Sequence, residues 1–189
     1  DGPTIGVHKQ IVNRVLEPYA HITVLVSSTT FDNFFKQRIH PDAEPHIKML
    51  AEEMKAALDA SRPTIIRPTS TEEGPFMRLV NTHTPYVDYS EKVKLCSTLE
   101  NLSDDDLVRK VLNLSVARCA STSYNTVEGT QMTLEKSEEI VAKLLGSDVL
   151  HASPFEHVAF PDPGGKYKEL WGNFQGFVQY RKMIEKNID

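Results

Sequence analysis

The run from Pro45 to Ala60 constrains the fold more than any other stretch of the chain. Ile47, Leu50, Ala51, Met54, Ala57 and Leu58 recur every three or four residues, so they line one side of a helix. Pro45 stands in the first turn, where its missing N–H costs nothing. Other segments carry the same period. Val7–Leu16 has Val7, Ile11 and Val15 on one face, with Lys9, Gln10, Asn13 and Arg14 elsewhere, and Pro18 ends it. Phe31–Arg38 places Phe31, Phe34 and Phe35 together. Ser103–Val111 opens with a capping serine and three aspartates, and Asn113–Ser121 reads as a second helix after it. Leu134–Leu145 is closed by Gly146. Ser153-Pro154-Phe155-Glu156 has a capping-box spacing, and Asn173–Glu185 reads as a final amphipathic helix with Phe174, Phe177, Val178, Arg181 and Ile184 near one face.

Extended segments are few. His21–Ser27 (HITVLVS) is β-branched and predicts a buried strand, His157–Phe160 a short one, and Pro161–Gly165 a turn. Strands do not alternate with helices. The expected class is therefore α+β, mostly helical with a small antiparallel or mixed sheet, rather than a doubly wound α/β fold.

The 189 residues fit a single domain, 1–189. Arg62–Tyr89 is rich in Pro, Thr, Glu and Gly and predicts a long loop, so the region 62–101 is set apart as a loop or insert. The chain starts at Asp1 without a methionine and runs almost at once into a helical pattern, from which a processed or partial piece of a longer chain is expected. No stretch approaches the ~20 apolar residues of a membrane helix, and no basic segment followed by an apolar run opens the chain. A net charge of −5 argues against nucleic acid as a partner, but a small anion needs only a few focused Arg or Lys side chains. Cys96 and Cys119 form no disulfide framework, which fits a reducing, cytoplasmic setting.

The common catalytic motifs are absent: no P-loop, no GxGxxG, no GxSxG. His151 and His157 are six residues apart, a spacing that one helix face does not bring together, so no metal is expected. Cys119 reads as a small buried thiol rather than a nucleophile. Two segments are less ordinary. Asn33–Ile47 ends an aromatic helix with Arg38 and His40, where a guanidinium can hold a carbonyl or an anionic heterocycle; the ordinary alternative pairs Arg38 with Asp42 or Glu44. His151–His157 is followed by aromatics interleaved with Gln175, Gln179 and Arg181, a composition suited to a flat heteroaromatic ligand; the ordinary alternative is an amphipathic helix with a polar outer face. On physics alone the ordinary alternatives outweigh the functional ones.

Taken together, these segments resemble the flavin-dependent thymidylate synthase family. His151-Ala152-Ser153-Pro154-Phe155-Glu156-His157 matches the family pattern H-x-S/T-P-F-E-H, with a helix before it as in the family. Arg118-Cys119-Ala120-Ser121-Thr122-Ser123-Tyr124 looks like the R-x-A-R-V-S-F/Y segment, Asn33–Glu44 like the N-F-x-x-x-R segment and its following helix start, and Arg14–Pro18 like the R-x-x-x-P helix. The resemblance touches most of the chain outside 62–101. The motif order is reversed from the common short form and is similar to longer variants. It implies transfer of a methylene from methylenetetrahydrofolate to C5 of dUMP, with FAD reduced by NADPH as hydride donor, in a homo-oligomer, a tetramer, with flavin at subunit interfaces. By residue-wise matching, Arg38 contacts the uracil ring and is the catalytic residue. Arg14, Gln179 and Arg181 join it on dUMP, and Asn33, Ser123, His151 and Glu156 serve the flavin. Asp42 stands where the common form has a histidine. Gln179-Tyr180-Arg181 stands in place of the family's R-H-R, and its S-x-N-E-x-S-x-R-Y continuation is missing. That departure keeps a second reading open, a non-catalytic helical module that binds a nucleotide or a partner. A zinc hydrolase using His151 and His157 is discounted.

Overall fold

The computed structural model describes residues 6–21, 24–65, 75–99, 101–122, 132–146 and 151–188. Among them the helices are α1 (Lys9–Leu16), α2 (Asp32–Arg38), α3 (Pro45–Ala60), α4 (Pro75–Asn81), α5 (Tyr89–Thr98), α6 (Asp104–Thr122), α7 (Leu134–Leu145) and α8 (Tyr180–Lys186). Two short strands, β1 (Ala159–Pro161) and β2 (Phe177–Gln179), pair antiparallel with Phe160 opposite Val178. The protein is mostly helical with a small antiparallel sheet, as expected.

The central element is α6. A helix buried on every side must be apolar all round, and Leu107, Val108, Val111, Leu112, Leu114, Val116 and Ala117 are all buried. The Ser103 hydroxyl accepts from the Asp106 N–H (3.2 Å) and donates to its carboxylate (2.6 Å), which satisfies part of the helix start. Sequence reasoning split this helix at Asn113. The split is wrong: α6 is continuous, and its polar interior residues are accommodated singly, with the Ser115 hydroxyl donating to the Pro85 carbonyl. α7 packs along α6, capped by Thr133 (3.2 Å from the Lys136 N–H) and tied to it by Lys110–Glu138 (2.6 Å). Fully buried Leu79 of α4 and Phe155 join the same core.

The expected loop over Arg62–Tyr89 is corrected, because α4 lies within it, and α5 follows inside the 62–101 region. Most of its polar part lies outside the described residues. What gave the region its loop-like composition is local, whereas Leu79 and Val87 are held by tertiary burial. The expected strand at His21–Ser27 is also corrected. Val24, Leu25 and Val26 are exposed and unpaired in a ladder, and Ile22 and Thr23 lie outside the described residues. β-propensity needs a neighbouring strand to act on, and this segment instead docks through Ser28 and Thr29, which donate to the Asn173 carbonyl at 3.0–3.2 Å.

The final helix also begins later than its pattern suggests. Gly176 (φ 82°) takes a left-handed turn, β2 follows, and only then α8. The link between β1 and β2 is organised by Asp162, whose carboxylate accepts from the N–H groups of Lys166 (3.0 Å) and Tyr167 (2.8 Å) and from the Trp171 indole (2.9 Å). Backbone pairing of His83 with Ala159 (2.8 and 3.0 Å) extends the sheet by one bridge.

Candidate functional site

Residues Ser153–Glu156 form one 3-10 turn rather than an α-helix start. No side-chain cap is made there, and Ala152 rather than Ser153 occupies the capping position, so the capping-box expectation is corrected. The turn is anchored instead by Phe155, fully buried, whose ring meets Tyr180 edge-on at 5.5 Å; Tyr180 also meets Phe160 at 5.5 Å. That aromatic cluster seats the turn on α8 and on α6.

The seating frees Glu156 to face α8. Its carbonyl accepts from Gln179 Nε2 (3.0 Å), and its carboxylate pairs with Arg181 Nη1. Arg181 Nε donates to Glu185 (2.7 Å), and the hydrogen bonds to Glu185 and Glu156 raise the guanidinium above its ordinary pKa. Deeper in the fold, Arg118 of α6 makes a two-point contact with Glu91 (2.6 and 2.7 Å) and donates to the Tyr86 carbonyl (2.6 Å). Burial pushes the neighbouring Cys119 thiol up, opposite to what a nucleophile needs. The His151 ring is exposed, and its backbone N–H donates to the Leu144 carbonyl (3.3 Å).

Arg14, Asn33 and Arg38 lie elsewhere, on α1 and α2. Arg38 is exposed and makes no hydrogen bond or ion pair among the described residues. The surface pairing weighed from the sequence does not form. Asp42 faces the His40 ring (3.6 Å), and Glu44 caps α3 through the N–H groups of His46 and Ile47 (both 3.0 Å). Arg14 is likewise exposed without such a partner, and the Asn33 carbonyl oxygen accepts from Gln37 (3.3 Å). Ser123 lies outside the described residues.

The structure therefore brings Glu156, Gln179 and Arg181 together, and places Arg14 on α1 and Asn33 and Arg38 on α2, away from them. The donor types suit a flavin and a nucleotide. Their placement does not: none of these side chains lines either of two clefts, of about 460 and 320 Å³, and Arg181 is flanked by two carboxylates that offset its charge toward a phosphate. Sequence reasoning missed a second group, Lys92 of α5 with His83 and Thr84. Its signal was legible, because Lys92 stands in line with Leu95, Cys96 and Leu99 on an otherwise apolar face. Among the described residues no three His, Cys, Asp or Glu side chains cluster to hold a metal, and no helix is long and apolar enough to cross a membrane. No protein-family model, no curated protein and no solved structure matches the chain.

Proposed function

We propose that the chain is part of a flavin-dependent thymidylate synthase that methylates dUMP to dTMP in the cytoplasm, assembled as a homo-oligomer. The observation that carries this reading is convergence. Two segments that resemble the family, on α6 and at 151–157, are packed together through the 3-10 turn, which also meets Gln179 and Arg181, the residues standing where the family has its R-H-R. Unrelated likenesses would have no reason to meet in space.

FAD reduced by NADPH would supply the hydride, and methylenetetrahydrofolate the carbon. The residues of this chain bind and orient. Arg38, exposed and unspent, holds the uracil ring and stabilises negative charge developing on it. Arg14, also unspent, holds the nucleotide phosphate. Gln179 and Arg181 are positioning residues in this reading, since their groups are engaged by Glu156, which fixes the turn that presents His151 to the flavin. Because the two sets of residues line neither of the two clefts described, a neighbouring subunit completes the site in this reading.

The test is a visible absorption titration with FAD, with and without dUMP. Flavin bands that shift on dUMP addition are expected, and an absence of flavin binding by the assembled protein overturns the reading. Arg38→Ala is expected to lower dTMP formation by at least about 100-fold while the circular dichroism spectrum stays unchanged. His151→Ala is expected to weaken FAD retention, measured as the flavin fraction left after gel filtration.

The self-paired Gln179 and Arg181 favour one alternative, a non-catalytic module that keeps nucleotide binding. Saturable dUMP binding without turnover, in the presence of FAD and folate, would select it.

A further inference from the structure

Outside the segments just described, a cleft of about 320 Å³ opens between α4, α5 and β2, lined by Asn81, Thr82, His83, Thr84, Lys92 and Phe177 among others. Its chemistry is unusual for a surface depression. Lys92 is 7% exposed, and its ammonium donates to the carbonyls of Leu79 (2.9 Å) and Thr82 (3.0 Å). These bonds close the C-terminal end of α4 and use two of the three N–H groups. Among the described residues no carboxylate lines the cleft, so none of them compensates the charge there. Two more polar atoms are buried without any partner, the Thr84 hydroxyl, on a residue only 5% exposed, and His83 Nε2. Buried polar atoms are nearly always satisfied, and these two belong to residues that line the cleft together with a buried cation. The His83 backbone pairs with Ala159, and its ring meets the Phe174 ring at 5.5 Å.

We propose that this cleft binds a small monocarboxylate with a flat apolar body. The Lys92 ammonium, the Thr84 hydroxyl and the His83 imidazole, all on residues of this cleft, are the donors assigned to the carboxylate, and Phe177 offers an apolar wall to the rest of the ligand. The space equals about ten water volumes at roughly 30 Å³ each, which suits a molecule the size of benzoate and excludes a dinucleotide. A single positive charge matches a monoanion better than a phosphate ester carrying two. The site is separate from the residues assigned to dUMP and flavin, so it stands or falls independently of them.

The test is titration of the full chain with benzoate, followed by the His83 ring proton resonance, assigned by its loss in His83→Gln. Benzamide, of the same shape and without charge, serves as the comparison. A saturable shift with benzoate is expected, at least about tenfold weaker with benzamide and at least about tenfold weaker for benzoate in Thr84→Val, which removes only the hydroxyl. Lys92→Met is expected to abolish binding, and if that variant does not fold, Thr84→Val alone decides. No saturable shift, equal shifts with benzamide, or undiminished binding in Thr84→Val overturns the proposal.

Discussion

At the residue scale, Lys92 and His83 each make folding stability depend on pH. Burial lowers the Lys92 pKa from 10.5 to about 8, against a small opposing pull from Cys96. The unfolded chain therefore keeps this proton between about 8 and 10.5 where the folded chain gives it up, so this group adds stability as pH rises across that window. Below 8 the cost of the buried charge is present in full. His83 acts from the other side. Burial first, then the charges of Lys92 and His157, hold its pKa below 6.5, so acidification below 6.5 favours the unfolded, protonated state. Urea midpoints are expected to rise less steeply across the alkaline range in Lys92→Met than in the wild type, and the acidic rise is expected to shrink without vanishing, because burial still lowers the His83 pKa when the Lys92 charge is gone. Equal alkaline slopes in both proteins would falsify this assignment. Arg118 offers a second check. Its side chain is about a quarter exposed and holds three oxygens, two from Glu91 and one from Tyr86. Arg118→Ala is expected to cost about 2 kcal/mol in urea unfolding.

At the scale of elements, periodicity was informative where a helix is long and its ends are chemically marked. Pro45–Ala60 and Leu134–Leu145 have the bounds that their stripe, first-turn proline and closing glycine predict. Reading failed where the decisive contact is remote. Nothing near Asn113 tells that α6 continues, because its neighbours on α4, α5 and α7 supply the burial. Nothing in HITVLVS tells that no strand lies beside it. The 3-10 turn shows the same limit: its Ser-x-x-Glu spacing is local, but Glu156 answers to Arg181, 25 residues on. Of the candidate site, Glu156, Gln179 and Arg181 were legible as residues, while their mutual engagement was not. Phe155 holds that turn, so Phe155→Ala is expected to cost about 4 kcal/mol. It should also release Tyr180 from its edge contact, seen as a weaker near-ultraviolet circular dichroism signal of the folded protein and a lower melting temperature.

For the whole molecule, burial is unevenly distributed. The core gathers around α6, whereas α1, the segment after it and α3 expose Ile11, Val15, Tyr19, Val24, Leu50 and Leu58. Only Ala51 of the α3 stripe is buried. The amphipathic patterns that predicted these helices were sound, but the surface they face is not supplied by the described residues of the same chain. Arg14 stands on α1, and Arg38 on α2, which packs on α3. The proposed homo-oligomer therefore predicts that Val15→Asp and Leu50→Asp weaken assembly in sedimentation velocity without lowering the melting temperature of the α6 core. An unchanged sedimentation coefficient would detach these helices from assembly.

The Asp162 knot between the two strands has an optical consequence. Trp171 is the single tryptophan of the chain, and its indole is hydrogen-bonded to that carboxylate. All tryptophan emission thus comes from one loop, and its colour reads whether the loop is tied. Burial alone would raise the Asp162 pKa, but the Tyr167 and Lys166 N–H groups and the indole outweigh it and hold the carboxylate below 3.8. The emission should stay constant down to that acidity and shift only beyond it, unless the strands part first. A fluorimeter then separates loosening of the loop from melting of the helices, which circular dichroism follows.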